Sequence, residues 1–499
     1  MIFFEICVNI TIVCFKGGII LLESLKPERV FYYFEEISKI PHGSGNTKAI
    51  SDYCVTFAKE HGFSYIQDKW NNVIIIKEAS IGREQDAGIV LQGHLDMVTV
   101  KEENCTIDFA TDSLCLCIDG DELYAKGTSL GGDDGIAVAY ALALLEEDSL
   151  SHPRLEVVLT VDEEIGLLGA TEIDLSMLKG QYLLNLDSEE EGIFLTSCAG
   201  GLRGDCVIPV LYLESEGVAY QIKLTGLTGG HSGAEIDKER ANAIKLAGRL
   251  LSELEQEISY GICGIQGGEK DNAIATECEL QLLVEEQESQ RLEKLIQTRT
   301  SVYQAEYAIS DPNLRIEIVK KGFCTTKRLQ PAYQMKVVYL LANLPNGIQN
   351  RSLDIPGLVE TSLNLGIVNL NLENLTVVAS VRSSVRTRKE AISNQLRYIT
   401  EFLGGVYHTR GDYPAWEYRK NSRLREVMVE IYKEKYGKEP LLQAIHAGLE
   451  CGILLEKCPQ LDAISLGPDM KDIHTTRERL SISSTKRVWE YLIEVIARL

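Results

Sequence analysis

The chain has 499 residues, of which 45% are hydrophobic and 25% charged, so it can bury a core of ordinary size. Its length predicts about two to four domains. The formal net charge of −23 argues against nucleic acid or an anionic membrane surface as a partner. The 13 cysteines contain no CxxC pair, and their odd number favours free thiols in a reducing compartment. We therefore expect a cytoplasmic protein.

The first 22 residues are apolar but do not match a targeting segment. Glu5 interrupts them, no basic region precedes them, and the apolar run is shorter than the roughly 20 residues of a spanning helix. A signal or anchor is one interpretation. We favour another, in which residues 1–22 are an extension from a mis-assigned start and the native chain begins at Leu21 or Leu22. Residues 16–18, Lys-Gly-Gly, are what a bacterial ribosome-binding site would encode.

Helices and strands alternate through the first 200 residues. Apolar residues at helical spacing predict helices within 27–60, interrupted at Pro41. Further along, apolar runs predict four strands and one helix: strands at 73–76, 88–92, 155–161 and 182–186, and a helix at 136–145. This alternation indicates an α/β domain with a mostly parallel sheet, in which functional groups collect at the carboxyl ends of the strands.

Beyond residue 200 the pattern changes to strands with fewer helices. Strands are predicted at 218–224, 277–284, 315–319 and 375–381, with helices near 241–257 and 288–300. We interpret residues 201–411 as an inserted α+β domain. Helices near 424–436 and 485–499 return to the first domain, which then comprises residues 23–200 and 412–499.

Five potential metal ligands lie far apart in the chain, mostly after predicted strands or in a glycine turn: His94, Asp133, Glu164, Asp187 and His474. Each has an ordinary structural explanation on its own, such as a helix cap, a solvated loop or a surface histidine. Together, two imidazoles and three carboxylates form a donor set that suits zinc, with manganese or cobalt tolerated. They predict two adjacent divalent metals. The neighbouring Glu163 is left to move a proton.

Several motifs resemble those of the M20 metallopeptidases, and within them the aminoacyl-histidine dipeptidases. These motifs are GHLDMV at 93–98, GTSLGGDDGIA at 127–137, TVDEEIG at 160–166, NLDSEEEG at 185–192 and GGHSG at 229–233. They occur in the order of that family, and the resemblance extends from about Leu25 to the C-terminus. The resemblance implies a metal-dependent hydrolase domain with an inserted lid domain.

The resemblance also implies a role for each metal ligand. Asp133 would bridge two zinc ions, for which cobalt or manganese could substitute. His94 and Asp187 would complete one site, and Glu164 and His474 the other.

Further roles are implied for residues that do not bind metal. Asp96 would orient His94, and Glu163 would be the general base that takes a proton from the bridging water. His231 would stabilise the oxyanion, either within its own chain or from the lid of a partner subunit. Asn272 and Arg382 match positions that hold the substrate's C-terminal carboxylate. Gly448 would line the substrate pocket. His446 lies beside this pocket, and its role is open.

We therefore predict a di-zinc dipeptidase that hydrolyses unblocked dipeptides, including Xaa-His dipeptides such as β-Ala-His. Its partners would be a short peptide substrate and a second copy of the chain, without nucleic acid or membrane. One alternative is an N-acyl-amino-acid amidohydrolase or a tripeptidase of the same family. Another is a metal-free, non-catalytic binding protein, against which the intact Glu163 argues. The native metal and the preferred dipeptide side chains stay open at this point.

Overall fold

The computed structural model describes Leu22 and residues 24–499, so the expected extension falls outside the described residues except for Leu22. The chain forms two compact units. The first contains the described residues up to Thr196, together with Arg419–Gln443 and Ile453–Leu499. The second contains Ser197–Tyr418 and Ala444–Gly452. The roles that we expect for the two domains stay predictions.

The helices and strands are numbered in chain order. The helices are α1 Glu28–Ser38, α2 Lys48–Glu60, α3 Gly132–Glu146, α4 Leu168–Glu172, α5 Ala243–Glu255, α6 Ser289–Glu306, α7 Pro331–Asn343, α8 Arg386–Phe402, α9 Arg423–Tyr436, α10 Glu450–Lys457 and α11 Ile482–Arg498. The strands are β1 Ser64–Gln67, β2 Val73–Lys77, β3 Ile89–His94, β4 Leu116–Asp119, β5 Glu122–Ala125, β6 Leu155–Thr160, β7 Tyr182–Asn185, β8 Ile193–Cys198, β9 Gly200–Pro209, β10 Tyr212–Thr225, β11 Tyr260–Gly267, β12 Cys278–Val284, β13 Arg315–Leu329, β14 Gly347–Arg351, β15 Val359–Leu370, β16 Asn374–Ser383, β17 Val406–Tyr413, β18 Leu441–Ile445, β19 Asp462–Ser465, β20 Met470–Lys471 and β21 Arg479–Ser481.

The main sheet of the first unit has eight strands within the described residues, in the order β1-β2-β6-β3-β7-β19-β8-β18. Its central strands β6, β3, β7 and β19 are parallel, whereas β1, β2 and β8 pair antiparallel with their neighbours. Helix α3 is apolar on all sides and is buried from Gly132 to Leu145, as expected for a helix enclosed by a core. The sheet is therefore parallel at its centre, where the predicted ligands follow the strands.

A second, smaller sheet of the first unit has the order β20-β21-β5-β4 within the described residues. The second unit is built on a separate antiparallel sheet with the order β13-β10-β12-β11-β15-β16-β9-β17, and β14 pairs with β15. Helices α5 to α8 belong to this unit and supply apolar side chains to its core. No helix in the described part of the chain is both long enough and apolar enough to span a bilayer.

Candidate metal centre

Three strands of the first unit end at one edge of the main sheet. β3 ends at His94, which is level with Thr160 at the end of β6, and β7 ends at Asn185. Because these strands are parallel, the residues that follow them emerge at the same edge. That edge carries the acidic segment 162–164 and Asp187, as the sequence analysis expects.

A glycine turn and a hairpin loop bring in the remaining two predicted ligands. Gly131 has φ of +68°, a left-handed conformation that glycine adopts without steric cost, and Asp133 follows it at the start of α3. His474 lies in the loop between β20 and β21. This loop is anchored because Leu480 of β21 is fully buried and pairs with Leu123 of β5.

The two carboxylate oxygens of Asp133 face two different histidines. Oδ1 lies 3.1 Å from Nε2 of His94, and Oδ2 lies 3.0 Å from Nε2 of His474. Each histidine has a further carboxylate beside it. Glu164 Oε1 is 2.8 Å from Nε2 of His474, and Asp187 Oδ1 is 3.8 Å from Nε2 of His94. The structure thus brings together all five predicted ligands, with Asp133 between two pairs.

Asp134, which was not among the predicted ligands, also lies in this cluster. Its Oδ2 accepts a hydrogen bond of 3.0 Å from the backbone N–H of His94. The ligand atoms of His94, Asp134 and Asp187 lie within 4.8 Å of one another, as do those of His94, Asp133 and Glu164. The paired acids of the GGDDG turn were the available sequence signal for Asp134.

The spacing of these donor atoms fits divalent metals. Ligands of a tetrahedral zinc at about 2.0–2.1 Å lie about 3.4 Å from one another. The histidine nitrogens lie 2.8 Å to 3.8 Å from their neighbouring carboxylates, which brackets that separation. Imidazole nitrogen and carboxylate oxygen are also the donor types that zinc, cobalt and manganese accept. The residues on both sides of Asp133 therefore fit a cation.

The carboxylates in this cluster are crowded. Burial raises the pKa of Asp187 well above its ordinary value, and the charges of Asp134 and Asp133 add to that increase. Burial also raises the pKa of Glu163 to about 7. The charge of His94 lowers this pKa, and the charge of Glu164 raises it further. Like charges at such distances repel one another, and divalent cations would compensate that repulsion.

Asp96 connects His94 with the segment that carries Glu163. The main-chain oxygen of Asp96 lies 2.9 Å from Nδ1 of His94, and its carboxylate Oδ1 lies 3.5 Å from the same nitrogen. A carbonyl oxygen only accepts, so Nδ1 carries the proton and Nε2 is left for a metal. The Asp96 carboxylate also accepts from the backbone N–H of Glu163 at 3.0 Å and of Glu164 at 3.3 Å, and from the Ser44 hydroxyl at 2.8 Å.

The second unit contains the residues predicted to contact substrate. The backbone N–H of Ser232 donates to the main-chain oxygen of Asn272 at 2.9 Å. A Cβ atom added to Gly233 would lie 3.0 Å from Cε1 of His231 and 3.3 Å from Cζ of Arg382, so Gly233 lies in contact with both side chains. Burial, and then the charge of Arg382, lowers the pKa of His231. That imidazole is therefore neutral near pH 7.

Gly448 and His446 lie in the same neighbourhood of the second unit. Nη1 of Arg382 donates to Tyr413 Oη at 3.0 Å, and a Cβ atom on Gly448 would lie 2.8 Å from Cε2 of Tyr413. His446 Nε2 is 2.7 Å from Ser362 Oγ, and Ser362 faces Arg382 across β15 and β16. Burial, then the charge of Arg382, lowers the pKa of His446 to about 3. No sequence motif marks Tyr413 or Ser362.

Comparison with known proteins identifies the family. Residues 90–498 match the profile described as peptidase family M20/M25/M40. The chain belongs to this family. Within it, the chain is 34% identical to the cytosol non-specific dipeptidase of Escherichia coli (strain K12) over 480 residues, which cover 95% of this chain and 98% of that protein. The predicted family and enzyme class, a peptidase, are therefore confirmed.

Two solved structures have a similar fold. The aminoacylhistidine dipeptidase from Vibrio alginolyticus superimposes with a TM-score of 0.90 at 33% identity, covering 96% of this chain and 98% of that one. The aminopeptidase PepT from Bacillus cereus ATCC 10987 has a TM-score of 0.54 at 16% identity, with 95% and 98% covered, and so shows likeness of fold alone. The predicted α/β class is confirmed by these matches.

Proposed function

We propose that this M20 peptidase is a cytoplasmic, metal-dependent dipeptidase that hydrolyses unblocked dipeptides, including Xaa-His dipeptides such as β-Ala-His. One observation carries the proposal: Asp133 presents one oxygen to each of two histidines, and each histidine has its own second carboxylate. The relatives named as a cytosol non-specific dipeptidase and an aminoacylhistidine dipeptidase support the substrate class and the location.

Two zinc ions per chain are the proposed cofactor, with cobalt or manganese as substitutes. His94 and Asp187 would hold one ion, Glu164 and His474 the other, and Asp133 both. When bound, such a pair of ions lowers the pKa of a water molecule and polarises the scissile carbonyl.

Glu163 is the proposed general base. It would take a proton from the attacking water as the carbon–oxygen bond forms, and would give that proton to the leaving amine as the carbon–nitrogen bond breaks. Its backbone is fixed because Asp96 accepts from the N–H groups of Glu163 and Glu164. Asp96 would therefore position the base as well as His94.

The second unit is proposed to bind substrate and to act as the lid and dimerisation domain of a homodimer. Arg382, with Asn272, would hold the C-terminal carboxylate of the dipeptide, because a guanidinium pairs with a carboxylate through two parallel hydrogen bonds. The neutral His231 would donate a hydrogen bond to the oxyanion, and Gly448 would leave room for substrate beside Tyr413. Light scattering of the purified protein would test the dimer, which a monomeric mass would contradict.

Hydrolysis of a small substrate panel tests the reaction. The panel contains β-Ala-His, Gly-His, Leu-Gly, a tripeptide and an N-acetylated amino acid, each assayed before chelation, after it and after adding zinc back. We expect dipeptide cleavage that chelation abolishes and zinc restores. Cleavage of the acetylated compound or the tripeptide alone would indicate an amidohydrolase or a tripeptidase. Absence of turnover with zinc, cobalt and manganese would support a non-catalytic binding protein.

A further inference from the structure

Glu478 ends the loop that carries His474, and its carboxylate contacts the backbone of the turn that carries Asp133. It lies four residues after His474, immediately before β21, and is only 3% exposed. Its carboxylate is directed at the glycine turn that precedes α3. This turn begins at Leu130, which is 348 residues before Glu478 in the chain. Burying a carboxylate is costly unless it accepts hydrogen bonds, so the groups that donate to Glu478 indicate its structural role.

Four consecutive backbone N–H groups of that turn point at this one carboxylate. Oε2 accepts from Leu130 at 2.7 Å and from Gly131 at 3.2 Å. Oε1 accepts from Gly132 at 2.8 Å and from Asp133 at 3.4 Å. Successive N–H groups at the start of a helix form a concave anion-binding site, and here the chain's own carboxylate fills it.

These contacts fix the backbone that carries the central ligand. Asp133 is the last of the four donors, and its φ of −85° and ψ of 106° are not helical. No intrahelical hydrogen bond is formed by the first N–H groups of a helix, so the turn depends on an outside acceptor. Glu478 supplies it, and thereby sets where the Asp133 carboxylate lies.

The short loop between β20 and β21 therefore contacts Asp133 at two points, through His474 and through Glu478. Nε2 of His474 lies 3.0 Å from Oδ2 of Asp133, and the Glu478 carboxylate accepts from the Asp133 backbone N–H at 3.4 Å. We propose that Glu478 is a positioning residue for the metal centre. By holding the backbone of Asp133, the ligand that would bridge the two metals, it fixes the distance between Asp133 and His474. This inference rests on the proposed function, because it assumes that Asp133 and His474 bind metal.

Zinc affinity is the measurement that tests this proposal, because it does not depend on turnover. The substitution Glu478→Gln keeps the shape of the side chain but replaces one accepting oxygen with an amide that cannot accept from N–H donors. We expect zinc to bind about 10–100-fold more weakly than to wild type, the usual effect of losing a group that orients a ligand. The assay is competition with a chromophoric chelator, after circular dichroism has shown that the metal-free variant is folded.

Glu156 offers a matched control in the same unit. It is fully buried, and its carboxylate accepts from the backbone N–H groups of Lys179 at 3.0 Å and Gly180 at 2.9 Å, away from the predicted ligands. Glu156→Gln should lower the melting temperature while leaving zinc affinity unchanged. If Glu478→Gln does not fold, Glu478→Asp replaces it, since the shorter side chain cannot reach all four N–H groups, and the same loss of affinity is expected.

The possible results separate the two proposals. Weaker zinc binding by the Glu478 variant, with wild-type binding by Glu156→Gln, supports the positioning role. Unchanged zinc affinity in a Glu478 variant with a lowered melting temperature overturns that role and leaves the dipeptidase proposal intact, with Glu478 as a helix cap only. Wild-type protein that binds no zinc, cobalt or manganese overturns both.

Discussion

Replacing Glu163 with glutamine is expected to remove proton transfer and to leave metal binding intact. The structure places Glu164, not Glu163, beside His474, and holds Glu163 through its backbone N–H. A positioned general base typically contributes about 10²–10⁴-fold to the rate, or roughly 3–5 kcal/mol of barrier. We therefore expect kcat to fall by that factor while the zinc content of the purified variant stays at the wild-type value.

The same substitution should stabilise the chelated protein at alkaline pH. Burial raises the pKa of Glu163 from 4.5 to about 7, so ionising this carboxyl in the folded state costs roughly 3 kcal/mol. The folded chain binds this proton more tightly than the unfolded chain does, so the cost is absent below pH 4.5 and grows as the pH rises toward 7. Glutamine carries no charge. The free energy of unfolding of the variant should exceed that of wild type by up to about 3 kcal/mol at pH 8, and by less than about 1 kcal/mol at pH 5.

The assays are steady-state kinetics on a cleaved dipeptide and urea unfolding of chelated protein at the two pH values. Glu190→Gln removes an exposed carboxylate from the neighbouring charge run and should change neither kcat nor stability. Near wild-type kcat in Glu163→Gln would refute its role as the base. A metal-free variant that is less stable than wild type at pH 8 would refute the argument from burial.

Three further substitutions separate the functions of the two units. Asp133→Asn keeps one accepting oxygen of two and should reduce bound zinc from two ions per chain to one or fewer; metal analysis that still gives two would contradict the bridging role. Arg382→Lys keeps the positive charge but loses the planar guanidinium with its two parallel N–H donors, and should raise KM about 10–100-fold with a smaller effect on kcat. An unchanged KM would exclude Arg382 from carboxylate binding. Gly233→Ala would place a methyl group 2.7 Å from the His446 main-chain oxygen and 3.0 Å from Cε1 of His231. It should lower kcat/KM by about 10²-fold at unchanged zinc content, and wild-type kcat/KM would contradict the proposed substrate contacts.

The arrangement of the ligands was predictable because it follows from general properties of parallel sheets. His94 ends β3, and Glu164 and Asp187 follow β6 and β7, so strand prediction alone places these groups at one edge. The type of each residue then specifies the chemistry. His474 follows no strand of the main sheet, so strand prediction does not place it at that edge. Its pairing with Glu164 was implied by the family resemblance.

Contacts made only in the folded chain were not predictable. Glu478 and Leu130 are 348 residues apart, and no local pattern pairs them. The bond between Ser362 and His446 likewise depends on how the second unit folds. Helices α7 and α8 were not predicted. In α8 the apolar residues Ile392, Leu396 and Ile399 recur at helical spacing and pack against the core, so its signal was present in the sequence and was missed.

Intact-mass analysis of native protein tests the predicted start of the chain, because a mass that includes Met1 contradicts a start at Leu21 or Leu22.

Zinc titration of the chelated protein, followed by β-Ala-His hydrolysis at each addition, tests the central claim most directly. The geometry around Asp133 predicts no turnover in metal-free protein, and a rate that rises until two equivalents of zinc per chain are bound. Full turnover by the metal-free protein would contradict the claim, as would no hydrolysis of any dipeptide with two equivalents bound.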